Sequence, residues 1–437
     1  MKKILSAGLL VLALGPMTWA QDAPPPVRTV LPNGIPLIVQ ESYSSPTVSL
    51  NIFIRVGSVY EDPRYNGISH FYEHMFFRGT PTRTGLEFKR AIESLGGITN
   101  ATTGRDYTHF YINLPKQYLR KGLELLADAY INAECSLDSV EAERKVVLEE
   151  YNLGLNQPAR LASDKIYNLV YSNHPYGRTI IGTEDNLKSV GRPELLAFKR
   201  DYYVPSRTKL VITGDLDTNE VQLECRDLFG SYKSPGTVED KMPVQAVPTE
   251  TVVLNENVKG VSGQVALAFL GPSAKEHQDV HRVDLLSFLI GNGKGSLLGK
   301  ELDSSKSDLS GSMEYLTSAF PGVIIISAQA KAGQEDETLK KVDGVLARVR
   351  KGDFTDKDLA RAKKTLTNLY RFGLETNAGK AGNWGTYETI DKLDFAKTYA
   401  EDINKLTKAD LAAAAEKYFS RNHYRLIFKA GKAAGPG

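Results

Sequence analysis

Two histidines and a glutamate carry most of the reactive chemistry open to this chain. In Ser69-His70-Phe71-Tyr72-Glu73-His74-Met75 the imidazoles stand at positions i and i+4, with Glu73 between them. On a helix those positions lie one turn apart on the same face, so both rings can reach a single ion. Glu73 falls in the same arc, where a carboxylate can face a water on that ion without binding the ion itself. This is the H-x-x-E-H order, the reverse of the commoner H-E-x-x-H zinc signature. A pentapeptide with three fixed residues also arises by chance, so the rest of the chain has to decide.

A hydrolytic zinc site takes three protein ligands and leaves a fourth position for water. Glu150 is the expected third ligand, on a helix predicted over Leu137 to Leu155 and capped by Asp138 or Ser139. Glu143 lies two turns earlier on the same face, placed to orient a metal ligand, whereas Glu149 reads as solvated. His277 and His281 share the i, i+4 spacing, but no carboxylate accompanies them suitably, and they are expected to be solvated. His109, on a strand near the motif, is a possible substrate contact.

The elements that must hold these groups alternate between strand and helix patterns. Val27 to Leu31, Pro32-Asn33-Gly34 and Ile35 to Val39 read as a hairpin with Asn-Gly in its turn. Val48 to Ile54 reads as a third strand, and Asn66-Gly67 leads into the His70 helix. Ile98 to Thr103 and Tyr107 to Leu114 are further strands, followed by helices and then the strand Lys209 to Gly214. The second half repeats this pattern. Tyr202 to Ile212 has a counterpart in Tyr418 to Phe428, and Val48 to Ile54 in Val265 to Leu270. In that register His70, Glu73 and His74 fall near Asp284, Ser287 and Phe288, while Glu143 and Glu150 pair with Arg361 and Asn368. The second copy keeps the scaffold and has no metal ligands. The expected organisation is a leader over 1–20, a metal-binding domain over 27–234, a linker over 235–251 and a degenerate domain over 252–431.

The bulk properties narrow the function classes. With 437 residues and a net charge of +2, and no basic block, the chain offers nucleic acid no electrostatic footprint. Lys2-Lys3, the apolar run Ile4 to Leu14 and the small residue Ala20 form a leader pattern, with cleavage expected after Ala20 and export, into the periplasm of a Gram-negative source. No later stretch is long and apolar enough to span a membrane. Cys135 and Cys225 are expected to be separate buried thiols.

At this point the motifs resemble a known family. Gly67-Ile68-Ser69-His70-Phe71-Tyr72-Glu73-His74-Met75-Phe76-Phe77-Arg78-Gly79-Thr80, the Glu143 to Glu150 element, Gly97 to Thr103 and His174-Pro175-Tyr176-Gly177 are similar to segments of the insulinase/pitrilysin/mitochondrial processing peptidase family. The resemblance runs from about Val27 to Ala430. It implies an α+β fold of two tandem homologous α/β sandwich domains, each a mostly antiparallel sheet covered by helices, arranged as a half clamshell. It implies one zinc ion per chain on His70, His74 and Glu150, with Glu73 as general base and Glu143 supporting the ligands; manganese or cobalt would fit the same donors. It also implies peptides or unfolded polypeptide segments as substrates, bound along the strand Ile98 to Thr103 with Asn100 and Ala101 as backbone contacts.

The chain departs from the family in one respect. Active members grip substrate with an Arg and a Tyr from the second half, and those positions fall here at about Lys380 and Ser310, with Arg371 and Tyr315 nearby. Lysine lacks the planar fork of arginine. The departure predicts a heterodimer with a homologous subunit that lacks the zinc motif and supplies the grip, with a homodimer as the second choice. The competing function is a structural or chaperone-like subunit of a peptidase-like complex.

Overall fold

The computed structural model describes residues 23–234, 238–240, 242–258, 263–303 and 309–430. The expected leader, and residues 235–237 and 241 of the expected linker, lie outside this set. The first half builds strands β1 (Val27–Val30), β2 (Pro36–Glu41), β3 (Thr47–Ile54), the two-residue pair β4 (Gly79–Thr80) and β5 (Arg83–Thr84), then β6 (Ile98–Thr103), β7 (Thr108–Pro115) and β8 (Thr208–Gly214). The second half supplies β9 (Val252–Val258), β10 (Gln264–Leu270), β11 (Gly311–Tyr315), β12 (Val323–Gln329) and β13 (Tyr424–Ala430).

Besides the small β4-β5 pair, two main sheets result, in the orders β1-β2-β8-β3-β7-β6 and β11-β12-β10-β13-β9. They share one pattern. In each, a parallel pair (β2 with β8, β9 with β13) is followed by an antiparallel run that ends on an open edge strand, β6 or β11. Only the outermost hairpin strand β1 has no counterpart among the described residues. The repeat seen in the sequence is thus a repeat of topology, and the fold is the expected α+β pair of sandwiches.

The halves are joined by exchanging helices. The helix Asn377–Ile390 of the second half lies on the outer face of the first sheet, where Ala381 and Trp384 pack with Ile38, Phe53 and Val211. Trp384 Nε1 donates to Gln40 Oε1 at 2.7 Å, and Thr213 Oγ1 donates to the carbonyl of Asn377 at 2.7 Å. Gly385 permits this approach, since a Cβ there would meet the Phe53 ring at 2.0 Å. In return, the helix Pro158–Val170 covers the second sheet, with Ala162, Ile166 and Val170 in one core with Ala266, Ala268, Leu426 and Phe428. This exchange explains why β3 is buried along almost its whole length, although its sequence alternates. On that covered outer face the polar residue Asn51 is satisfied by donating to Ser49 Oγ and to the carbonyl of Val211.

Several local expectations change. Ser136, not Asp138 or Ser139, caps the helix Leu137–Gly154 by accepting from the Ser139 amide. His277 and His281 are not solvated: they open the helix His277–Ile290, where His277 Nε2 meets Asp391 at 2.5 Å and the buried His281 ring stacks on Phe395. His109 points away from the motif, stacked on Phe53 with Nε2 2.9 Å from Asn51 Oδ1, because its neighbour Phe110 takes the face that packs on Phe76. Cys135 and Cys225 are free and buried, as expected.

One buried acid marks the seam between the halves. Asp106 accepts from Tyr176 Oη and, across the seam, from the backbone amide of Ala319 at 3.1 Å. Burial raises its carboxyl to about 6. The unfolded chain ionises near 4, so ionising this group costs the folded state about 3 kcal/mol, a penalty absent below pH 4 and complete once pH has risen through 6. Asp106→Asn should therefore gain stability relative to the parent as pH rises from 4.5 to 7.5, read as the difference in thermal midpoint. A difference that does not change with pH would contradict this.

Candidate metal centre

The site is built where two helices cross beneath the edge of the first sheet. The helix Ile68–Phe76 buries Phe71, Tyr72, Met75 and Phe76 in the core and turns His70, Glu73 and His74 toward the helix Leu137–Gly154. Its start is set by Gly67, whose φ of 98° is left-handed and whose Cα packs against the Ile181 carbonyl. Its free N-terminal amides are met by Glu61, a buried carboxylate that accepts from the amides of Gly67 and Ser69, both at 2.8 Å, and from Asn66 Nδ2. Burial raises the Glu61 carboxyl despite those bonds. Glu61 is not among the residues that spacing or motif singles out. Its signal is faint, because it precedes the helix by more than the usual capping offset.

His70, His74 and Glu150 converge, with one ligand atom of each within 4.8 Å of the others. Glu150 Oε2 lies 3.5 Å from His70 Nε2 and 3.7 Å from His74 Nε2. A tetrahedral zinc with bonds near 2.05 Å separates its ligands by about 3.3 Å, so two imidazole nitrogens and one carboxylate at these spacings fit that ion. His74 Nδ1 lies 3.1 Å from Glu143 Oε2; donating its proton there leaves Nε2 free as a lone-pair ligand. Glu143 is itself fixed by Arg78, a residue of the motif whose role its spacing does not announce. Burial opposes charge on His74, yet its hydrogen bond to Glu143 and the nearby carboxylate of Glu150 outweigh this and lift it to about 9, while burial drives His70 down to about 4. The neighbouring His74, 3.7 Å away, holds the Glu150 carboxyl low.

Glu73 stands beside the triad. Burial raises its carboxyl, and Thr103 Oγ1 donates to Oε2 at 2.5 Å. Thr103 ends β6, so the edge strand and the acid are held together. Asn100 and Ala101 lie on that strand, whose outer side has no partner among the described residues. The Asn100 side chain accepts from the Ala101 amide at 2.9 Å, covering one donor of the open edge.

The remaining sequence candidates do not line the cavity beside this centre. Lys380 is buried within the exchanged helix, its Nζ donating to the Glu375 carbonyl at 3.2 Å, so it is committed to packing. Ser310 is exposed beside the second open edge, where its backbone pairs with Gln329.

Comparison with known proteins places the chain. Residues 37–184 match the model described as insulinase (peptidase family M16), and residues 189–366 match the peptidase M16 inactive domain. The chain belongs to the insulinase family. It is similar to the zinc protease PqqE of Helicobacter pylori, 27% identical with 98% of each chain covered. It is also similar to the uncharacterized zinc protease YmxG of Bacillus subtilis, 26% identical over 88% of this chain and 92% of that one. Among solved structures, a protease from Helicobacter pylori superposes with a TM-score of 0.84 at 26% identity, covering 93% of this chain and all of the other. The periplasmic protease PqqL of Escherichia coli, matched through its first half, shares the fold at a TM-score of 0.76 and 18% identity.

Removing the Glu143 carboxylate should loosen the centre without dissolving it. Glu143→Ala is expected to weaken zinc binding by about 10–100-fold, measured by competition with a chromogenic chelator. Unchanged affinity would show that Glu143 does not orient His74.

Proposed function

We propose that the chain is an exported zinc-dependent endopeptidase that hydrolyses peptides or unfolded protein segments. The observation that carries this reading is the convergence of His70, His74 and Glu150 beside a buried Glu73 that is tied to an open sheet edge. Bound by the triad, zinc supplies the Lewis acid that acidifies the attacking water and polarises the scissile carbonyl. The protein does the rest. A substrate laid on β6 as an added strand gains main-chain hydrogen bonds and little side-chain selection. Pairing there requires the Asn100 side chain to release the Ala101 amide. Glu73, held on one oxygen by Thr103, presents the other to the water, takes its proton during attack and returns it to the leaving amine. Burial favours the protonated form of Glu73, so the acid can hold that proton between the two transfers.

Export is supported by the leader pattern and by relatives such as the periplasmic protease PqqL. The placement of Lys380 and Ser310 supports a second subunit as the source of the substrate grip. A heterodimer in which the partner lacks H-x-x-E-H is the preferred arrangement, with a homodimer as the alternative. The structural or chaperone-like reading is disfavoured because a subunit with no hydrolytic role has no need of three converging ligands and a buried base.

Glu73→Gln is expected to retain one zinc per chain while hydrolysis of an unstructured fluorogenic peptide falls by at least about 100-fold. Retained activity would remove Glu73 from the mechanism. In the same assay the isolated chain should turn over slowly and accelerate when a homologous subunit is added. Full turnover of the isolated chain, unmoved by such a subunit, would rule out the heterodimer.

A further inference from the structure

Beside the triad lies a cavity of about 460 Å³, lined on one side by His70, Glu73 and Glu150 and on another by Arg105, Arg160 and Asp164. The two arginines are differently held. Arg105 is fixed: its Nε donates to the Tyr176 carbonyl at 3.0 Å and its guanidinium carbon stacks 3.6 Å from the Tyr167 ring centroid. Among the described residues it makes no ion pair. Arg160, on the helix Pro158–Val170, makes no hydrogen bond among the described residues. Its nearest carboxylate, Asp164, lies 4.0 Å away, beyond hydrogen-bond reach, and its side chain keeps 31% of its surface exposed. A guanidinium carries five N–H donors in a plane that matches a carboxylate. This wall therefore offers two cations against one carboxylate, Asp164, with Glu73 and Glu150 on the opposite side of the cavity. Arg105 also follows the end of β6 by two residues, so a strand added to that edge runs past it, with alternate side chains directed into the cavity.

We propose that Arg105 and Arg160 form a carboxylate-binding subsite that makes the protein select substrates with a carboxylate close to the scissile bond. The carboxylate comes from an Asp or Glu side chain or from the substrate's C-terminus. The subsite deepens the peptidase reading and rests on it for the register of the substrate strand. Arg105 positions the anion from a rigid base, and Arg160 closes on it from the helix.

The test uses the full zinc-loaded chain and its Glu73→Gln variant with short, unstructured fluorescent peptides of Gly, Ala and one Phe. A single Glu, Gln or Lys is moved through each position, and each peptide is made with a free and an amidated C-terminus. Glu peptides should exceed Gln peptides by about tenfold, in kcat/KM for the parent and in affinity for Glu73→Gln. Arg160→Gln should collapse that ratio toward one, and Arg160→Glu should turn the preference toward Lys. Preference kept in amidated peptides assigns the anion to a side chain; preference seen only with a free terminus assigns it to the chain end. Equal handling of Glu and Gln at every position, with free and amidated termini alike, overturns the subsite even if hydrolysis is vigorous. Absent hydrolysis with the binding preference intact overturns the peptidase reading and leaves the subsite standing.

Discussion

Three ligand atoms borne on two helices have to meet within a few tenths of an ångström of tetrahedral spacing. Neither helix can arrange that alone. The i, i+4 pair on Ile68–Phe76 sets the two imidazoles relative to each other, but the third ligand arrives from a segment more than seventy residues later. The crossing is pinned by Glu143, which meets His74 two turns before Glu150 does. The helix that presents Glu150 thus also orients the ring opposite it. Burial makes this junction stiff, since moving Glu143 would strand a buried carboxylate away from His74 and Arg78.

The second half shows what the same crossing becomes without the candidate ligands. The helices His277–Ile290 and Asp356–Gly373 still pack, but the position matched to Glu143 is Arg361, whose Nη2 donates to the carbonyls of Phe288 and, at longer range, Leu289. A cation on carbonyls near a helix C-terminus holds the pair by other means. Asp284, matched to His70, accepts from Tyr399 Oη, and burial lifts it to about 7. The scaffold therefore persists through helix packing and edge-strand topology, and the candidate metal ligands are a substitution within it.

Much of this was legible from residue order. The H-x-x-E-H spacing, the Glu143 and Glu150 pair, the strand that became β6 and the halving of the chain all express periodicities of one or two elements. What escaped was set by tertiary packing. In sequence His109 reads as a substrate contact and His281 as solvated, yet one is turned over by the alternation of β7 and the other is drawn into a core by Phe395. Lys380 was aligned with a gripping arginine, but its helix is the one exchanged onto the first sheet. Glu61 was missed because it reaches the helix start from a preceding turn, and no fixed offset announces that geometry.

The exchange of helices also bears on why a half without metal ligands is retained. β3 and β8 are covered on their outer face by Trp384 and Ala381, so the first half by itself would expose Ile38, Phe53 and Val211 to water. The seam then runs directly into the site. Arg105 faces the cavity beside the triad while the next residue, Asp106, binds the backbone of Ala319 in the second half. Tyr176 ties these together, accepting from Arg105 through its carbonyl and donating to Asp106 through its hydroxyl. The helix that carries Arg160 is the same one that covers the second sheet. The wall of the cavity is in this way a product of both halves, and the second half shapes the site by where it holds the residues of the first.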